Sequence, residues 1–200
     1  MQPSVPKTDP RILRSKAALR QAMLQLMETK SFSAITITEI ITAAKYNRST
    51  FYANYANKEE LLDDLISELI KDLLQSFRAP YKQSREFVPH ELHANSIVIF
   101  SHIAENSSFY TTLANSDALP KLKEKMFVSL KQIIMKELVY ETPEIDQELL
   151  VIYSLHALLG LIFHWIESGY NHSPAYMQEQ LLKILFHRPP SAKMVISPTT

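Results

Sequence analysis

Two short segments near the N-terminus each carry capping residues that mark a helix start, and about three residues separate them. Thr36 and Glu39 fit a capping box, in which the Thr hydroxyl and the Glu carboxylate satisfy each other's backbone donors. Asn47 and Asn57 are expected to cap the next two helices, because their side-chain oxygens can accept from free backbone N–H groups. The helices predicted from these caps span residues 37–44, 48–55 and 58–77.

The rest of the chain also has a helical pattern. Only 2 of the 200 residues are Gly, while 46% are apolar, which favours helices over a turn-rich β-protein. A long amphipathic helix is predicted first, with an apolar stripe of residues spaced three and four apart. This helix spans residues 10–30, and the later ones span 92–105, 108–114, 118–140, 145–169 and 174–187. We therefore predict an all-α fold.

The chain divides into regions of different character. Residues 1–60 should form a three-helix helix-turn-helix domain with an N-terminal arm, and residues 61–187 a second helical domain. A polar, Pro-bounded break at 80–89 marks a connection between helical groups, and residues 188–200 are expected to be a disordered tail. Residues 1–60 carry nine Lys/Arg and five Asp/Glu, whereas residues 61–200 carry twelve and sixteen. This asymmetry is compatible with a polyanion partner for the first domain.

Compartment and membrane association can also be judged from the sequence. The chain has no Cys, which excludes disulfides, thiolate metal ligands and a Cys nucleophile and fits a reducing cytosol. The first residues lack the apolar core of a signal peptide, so a cytoplasmic protein is expected. Residues 149–166 form an uncharged run long enough to span a bilayer. Because this run contains two His and a Ser, we favour a core helix buried on all sides.

The stretch KYNRSTFYANYANKEEL at residues 45–61 is rich in hydrogen-bonding side chains. In a helix-turn-helix, the second helix enters the major groove, and here that helix would begin at Arg48. Asn47, Arg48, Ser49 and Thr50 would then approach base edges, and the hydroxyls of Tyr52 and Tyr55 would reach phosphates. Lys58 and the free N–H groups of its helix would hold a further phosphate. The alternative is a polar surface turn whose donors face water.

Residues 19–62 resemble the N-terminal domain of the TetR/AcrR family of bacterial transcriptional regulators. The matching strings are LRQAMLQLMETKSFSAIT, TITEIITAA and NRSTFYANYANKEELL. The resemblance implies phosphate or groove contacts by Thr36, Thr50, Tyr52 and Lys58, and base readout by Asn47 and Arg48.

The chain departs from the family pattern at two positions of the reading region. Lys45 stands where the family usually has Gly in the turn; a positive φ there would cost about 1 kcal/mol, although the charge lies beside the DNA. Ala53 replaces a position that is often basic. Lys7, Arg11 and Arg14 could reach DNA from the arm or form a solvated helix end.

For the second domain, the resemblance implies a homodimer formed by the last two helices and a small-molecule pocket. The segment HALLGLIFHWIESGY is similar to the C-terminal domain type of Firmicutes members, and Gly160 within it suits a close helix contact. The candidate pocket residues are Phe100, His102, Phe109, Tyr110, Met126, Phe127, Tyr153, His156 and Phe163. Each of these is individually more typical of a core. Together they favour an apolar or aromatic effector.

An enzyme is the less favoured reading of the second domain. His156 and His164 lie eight residues apart, and neither the closer spacing nor the acidic partner of a metal site is present. We therefore expect no catalytic residues, no metal and no cofactor. The sequence predicts a dimeric repressor that binds a palindromic duplex and is released by an effector. A TetR-like co-regulator or activator that acts through a protein partner is the alternative.

Overall fold

A computed structural model describes residues 9–80, 97–138 and 144–186. Within these ranges the protein consists of nine α-helices and contains no β-strand. The helices are α1 Pro10–Met27, α2 Ile37–Ala44, α3 Arg48–Asn54, α4 Lys58–Arg78, α5 Ile99–Glu105, α6 Ser107–Ala114, α7 Leu119–Glu137, α8 Gln147–Glu167 and α9 Pro174–Phe186. The all-α prediction is confirmed. Lys7, residues 81–89 of the predicted break and the tail at 188–200 lie outside the described residues.

The predicted helix starts in the first domain are confirmed by their caps. Thr36 Oγ1 accepts from the N–H of Glu39 at 3.3 Å, and the N–H of Thr36 donates to Glu39 Oε2 at 2.9 Å. Asn47 Oδ1 accepts from the N–H of Thr50, and Asn57 Oδ1 from that of Glu60, each at 2.8 Å. These contacts reach three residues along the chain, so the local sequence suffices to predict them.

Helix ends differ more from the predictions. The first helix stops at Met27 rather than at Lys30, and a short 3₁₀ turn at Phe32–Ala34 follows it. At α8, Asp146 Oδ1 accepts from the N–H of Leu149, and Gly169 at φ 71° ends the last turn. Ends are less predictable than starts because they depend on how the following segment packs.

A hydrophobic core joins both helical groups. In the first domain it contains Phe51, which is fully buried together with Ile40 and Leu61. In the second domain Phe100 packs edge-on against Trp165, with ring centroids 5.6 Å apart. The core therefore continues from the base of the helix-turn-helix into the second domain.

Helix α8 is the one described helix whose length and composition would allow it to cross a bilayer, with a mean hydropathy of 2.0. The core helix of a soluble protein passes the same test. Only 39% of its apolar window is buried, so the expectation of a helix buried on all sides is wrong. Its exposed stripe includes Leu149, Tyr153, Gly160 and His164, which no other described helix covers.

Candidate nucleic-acid interface and second-domain groove

The surface formed by α2, the turn at residues 45–47 and α3 carries the polar stretch singled out in the sequence. Lys45, Arg48 and Ser49 are exposed along it. Tyr52, one turn further along α3, is 50% exposed, and the Arg48 guanidinium carbon lies 6.0 Å from the centre of its ring. This distance suits a cation–π contact. The start of α3 thus presents a cation and a phenol hydroxyl side by side.

Asn47 is committed to the local structure through its carbonyl oxygen. In addition to the N–H of Thr50, Asn47 Oδ1 accepts from Ser49 Oγ and Thr50 Oγ1, both at 2.8 Å. A hydroxyl that donates in this way keeps its lone pairs, so it can still accept a hydrogen bond. With the cap intact, Ser49 and Thr50 can accept from a partner, and Asn47 can donate through its amide nitrogen.

The turn residue Lys45 has the left-handed conformation that the comparison with Gly suggested. Its dihedral angles are φ 57° and ψ 39°, and its N–H donates to Thr42 O at 3.2 Å. Tyr46, which was not among the residues predicted to contact DNA, follows it and is 37% exposed. The turn therefore places a strained, exposed cation and an aromatic ring next to the start of α3.

Tyr55 is not free to contact DNA, which corrects the prediction of a phosphate contact. Its side chain is 2% exposed, and its hydroxyl donates to Asp64 Oδ2 at 2.5 Å. Burial and this hydrogen bond raise the pKa of the Tyr55 phenol. Arg20 Nη1 donates to the same carboxylate oxygen at 3.0 Å. Arg20 and Asp64 could not be assigned to this contact from the sequence, because they lie on other helices than the segment that carries Tyr55.

Lys58 and Thr36 are also engaged within the protein. The Lys58 ammonium donates to the backbone oxygens of Phe32, Ser33 and Ile35 at 3.0, 2.8 and 2.8 Å. These contacts use all three of its donors, so the structure does not present Lys58 as a free phosphate ligand. The Thr36 hydroxyl stays at the surface but donates to Glu39 Oε2 at 2.9 Å. Lys58 and Thr36 therefore stabilise the segment before α2 and the start of that helix.

Glu39 carries a strongly stabilised negative charge at the start of α2. Its carboxylate accepts from the Lys30 ammonium, from the N–H of Thr36 and from the Thr36 hydroxyl. These bonds, led by the one from Lys30, lower its pKa from 4.5 to about 2. The Glu39 carboxylate in the capping box of α2 is therefore ionised at neutral pH and remains so in mild acid.

The predicted effector residues are divided between a groove and the core. A groove of about 390 Å³ between α7 and α8 is lined by Lys123, Glu124, Phe127, His156, Leu159, Gly160 and Phe163. The rings of Phe127 and His156 lie 4.7 Å apart, and the Lys123 ammonium lies 4.8 Å from the centre of the Phe163 ring. Three predicted residues, Phe127, His156 and Phe163, thus meet at one open, mainly apolar site.

The other predicted pocket residues do not line this groove. Phe100, Tyr110 and Met126 are fully buried, Phe109 is half-buried and Tyr153 is 76% exposed. The buried His102 Nε2 shares a hydrogen bond with the Tyr110 hydroxyl at 3.2 Å. Burial lowers the pKa of His102 and raises that of Tyr110, so the pair stays neutral. The buried rings of Phe100, His102 and Tyr110 serve packing, and the sequence alone does not distinguish such core residues from ligand-binding ones.

No group of three or more His, Cys, Asp or Glu side chains able to hold a metal ion occurs among residues 9–80, 97–138 and 144–186. His156 and His164 are both exposed on α8. Arg11 and Arg14 are exposed on the first turns of α1, where Asp9 caps the helix by accepting from the N–H of Arg11 at 2.8 Å.

Two family models match the chain. The model described as "Bacterial regulatory proteins, tetR family" matches residues 19–65, and "Transcriptional regulator C-terminal region" matches residues 90–187. Together they cover nearly three quarters of the sequence. The first match contains the whole of α2 and α3, and the second contains the groove between α7 and α8.

Individual relatives agree with these matches. The uncharacterized HTH-type transcriptional regulator YxbF of Bacillus subtilis (strain 168) is 25% identical over 178 residues, which is 88% of this chain but 46% of that protein. This chain therefore spans about half the length of the curated relative. A solved TetR transcriptional regulator from Streptococcus agalactiae 2603V has a TM-score of 0.59 at 23% identity, covering 88% of this chain and 96% of that one.

The solved structure of the dihydroxyacetone kinase operon activator DhaS has a TM-score of 0.56 at 18% identity, covering 86% of this chain and 93% of that one. At such identities the two solved structures show a shared fold. The helix-turn-helix geometry and the two family matches together establish that this chain belongs to the TetR family of bacterial transcriptional regulators.

Proposed function

We propose that this protein is a cytoplasmic, ligand-responsive repressor that binds a palindromic operator as a homodimer and is released by a small-molecule effector. The observation that carries the proposal is the capped α3 helix, which presents Arg48 and Tyr52 next to Lys45. Residues 1–60 would bind DNA, and residues 61–187 would bind the effector and the second copy. We assign the protein no catalytic role.

The proposed DNA contacts follow from exposure and free donors. With α3 in the major groove, Arg48 would read a base edge, since its guanidinium can donate two parallel hydrogen bonds to guanine. The Tyr52 hydroxyl and the Lys45 ammonium would contact phosphates on either side. Ser49 and Thr50 would act as acceptors, because their protons are held by Asn47.

Dimerisation is supported by the apolar stripe left open on the last two helices. Leu149 on α8 is 65% exposed, and Ile184 and Leu185 on α9 are exposed as well. A Cβ atom added at Gly160 would meet nothing within 4 Å. A second copy packed on this stripe would bury it and would set two recognition helices about one turn of DNA apart, ~34–36 Å, or somewhat more.

The groove between α7 and α8 supports an effector with an aromatic or apolar body. Phe127 and Phe163 offer ring faces, while Lys123 and His156 could hold a polar or anionic end of the ligand. An effector releases DNA only if it binds the released conformation more tightly than the DNA-bound one. A difference of a few kcal/mol is enough to change the populations.

The test is a selection of bound duplexes from a random pool by the purified protein, followed by affinity measurements across a salt series. We expect an enriched palindrome, with affinity that falls steeply as salt rises. Arg48→Ala should relax the preference at one base pair of each half-site by about 1–3 kcal/mol. Equal losses on all duplexes for Arg48→Ala would show that this residue contacts phosphate instead.

A second candidate function is activation, or co-regulation through a protein partner. The solved relative DhaS is named an operon activator, and this chain has Lys45 in place of the usual turn Gly and an apolar Ala53 on α3. The same selection separates the candidates. A dimer that enriches no duplex and shows only weak, salt-sensitive binding would favour the partner-dependent role.

A further inference from the structure

The 3₁₀ turn at Phe32–Ala34, directly before α2, is held not by its own domain alone but also by a side chain of the second domain. The Asp117 carboxylate, in the segment between α6 and α7, accepts from the N–H of Phe32 at 2.6 Å and from the N–H of Ser33 at 2.9 Å. Burial disfavours the charged form, but the hydrogen bonds from Ser33 and Phe32 outweigh this effect and lower the pKa of Asp117. The carboxylate is therefore ionised and uses both oxygens on this turn.

The same turn is held from its other side by Lys58. While Asp117 accepts from its N–H groups, the Lys58 ammonium occupies its carbonyl oxygens. Residue 36, the N-cap of α2, follows immediately. A charged group from the second domain and one from the first thus fix the position of the segment from which the helix-turn-helix starts.

Helix α7 makes further contacts with the first turns of α4. The Lys125 ammonium donates to Asp63 Oδ2 at 2.6 Å and to Asp63 O at 3.1 Å. Lys121 reaches Asp63 Oδ1 and the backbone oxygen of Glu59, each at 3.4 Å. The hydrogen bond from Lys125 lowers the pKa of Asp63. The start of α7 is therefore attached along one face to the first turns of α4, the helix that begins at Lys58 in the DNA-binding domain.

The groove lies on another face of the same helix. Lys123, Glu124 and Phe127 line it, and they alternate in sequence with the residues that contact α4. A ligand between α7 and α8 would press directly on the helix that begins two residues after Asp117. Lys123 of the groove lies six residues after Asp117 in the chain, and the Asp117 carboxylate reaches the turn before α2 through its two hydrogen bonds.

We propose that Asp117 is the positioning residue that couples the α7–α8 groove to the DNA-reading helices, by holding the Phe32–Ala34 turn in its DNA-competent place. This inference rests on the proposed function, since it assumes that α3 reads DNA. Displacement of α7 would withdraw the carboxylate, free two N–H groups of the turn, and loosen α2 and α3. By reciprocity, DNA bound to α3 must in turn stabilise α7.

The experiment uses operator DNA as the probe, because coupling between the groove and the DNA-reading helices is reciprocal and can be measured at either site. Hydrogen exchange by mass spectrometry would follow residues 28–47 and 119–137 in the full chain, with and without the selected duplex. Asp117→Ala removes both acceptors, and Asp117→Asn retains one. Glu105→Ala, which removes an exposed carboxylate at the end of α5, is the matched control for loss of charge.

We expect the duplex to slow exchange in residues 119–137 of the wild type and of Glu105→Ala. In Asp117→Ala this effect on α7 should disappear even at saturating duplex, and operator affinity should fall about tenfold. Asp117→Asn should be intermediate in both measurements. A purely structural role would lower the melting temperature and the affinity but would leave the DNA-induced protection of α7 intact, which would overturn the proposal.

The failure of the proposed function would look different. If the wild type binds no duplex, DNA reading by α3 is excluded, whatever Asp117 does. The free protein then still tests the contact itself: Asp117→Ala should accelerate exchange across residues 28–47 relative to both wild type and Glu105→Ala. Unchanged exchange there would overturn the inference as well.

Discussion

The hydroxyl of Tyr55 donates to Asp64 Oδ2 across 2.5 Å, and the same oxygen accepts from Arg20. Tyr55 follows α3, Asp64 lies on α4 and Arg20 on α1, so one carboxylate joins the three helices that support the reading surface. The sequence pattern predicts that Tyr55 contacts DNA, but this hydrogen bond places it in the core.

Tyr55→Phe should destabilise the protein, and Tyr52→Phe should weaken DNA binding instead. Loss of the Tyr55 hydroxyl removes a hydrogen bond to a charged group, which contributes about 1–2 kcal/mol in a partly buried place. Tyr52 is exposed, so its hydroxyl should matter only for duplex affinity. Chemical denaturation and duplex titration of the two variants check this. Equal stability of both variants would contradict the structural role of Tyr55.

Lys58→Met and Lys45→Met should separate positioning from phosphate contact. Lys58→Met leaves three backbone oxygens without their donor, so we expect a stability loss of about 1–3 kcal/mol and lower affinity. Its salt dependence should not change, because no phosphate contact is lost. Lys45→Met should keep stability but reduce the salt slope by about one per subunit. A reduced slope for Lys58→Met would show that its ammonium leaves the turn to bind DNA.

Lys45→Gly should stabilise the protein although it removes a side chain. At φ 57° a Cβ atom is strained, and Gly relieves about 1 kcal/mol of that strain. Ala43→Gly, an exposed substitution within α2, is the control and should cost about 1 kcal/mol. Denaturant midpoints of both variants give the comparison. A loss of stability at both positions would mean that the turn does not keep its left-handed conformation in solution.

Acid stability should depend on Glu39. Its pKa is lowered from 4.5 to about 2 in the folded protein, so its stabilising contribution is complete above pH 4.5 and is lost as the pH falls toward about 2. Glu39→Gln should therefore lower stability at neutral pH and flatten the stability profile in that acid range. Denaturation at a series of pH values measures this. A variant profile parallel to the wild type across the acid range would refute the assignment.

Gly160→Leu should weaken self-association by about tenfold or more, a change of at least about 1.4 kcal/mol, if α8 packs closely on its counterpart. Within the protomer a Cβ atom added at this position would meet nothing within 4 Å, so folding should be preserved. Gln132→Leu, an exposed position on α7, serves as the control for added apolar surface. Sedimentation of dilution series measures the dimer affinity. Unchanged association of Gly160→Leu would move the dimer contact away from the middle of α8.

Local interactions account for what the sequence predicted well. The caps at Thr36, Asn47 and Asn57, the bounds of α2 and the strained turn at Lys45 all depend on atoms within a few residues of each other. The family resemblance came from the same short region. Such features depend on covalent geometry and on hydrogen bonds between residues close in the chain, so they can be predicted from the local sequence.

Contacts between distant residues decided the rest. Whether Tyr55 and Lys58 face DNA depends on Asp64 and on backbone oxygens 23 to 26 residues away, and the Phe32–Ala34 turn depends on Asp117, 85 residues beyond Phe32. Aromatic residues of similar sequence context became core at Phe100 and groove at Phe127, because burial is set by the neighbours that packing provides. The sequence determined which helices form and where they begin, while the tertiary structure determined which of their side chains remain free to bind.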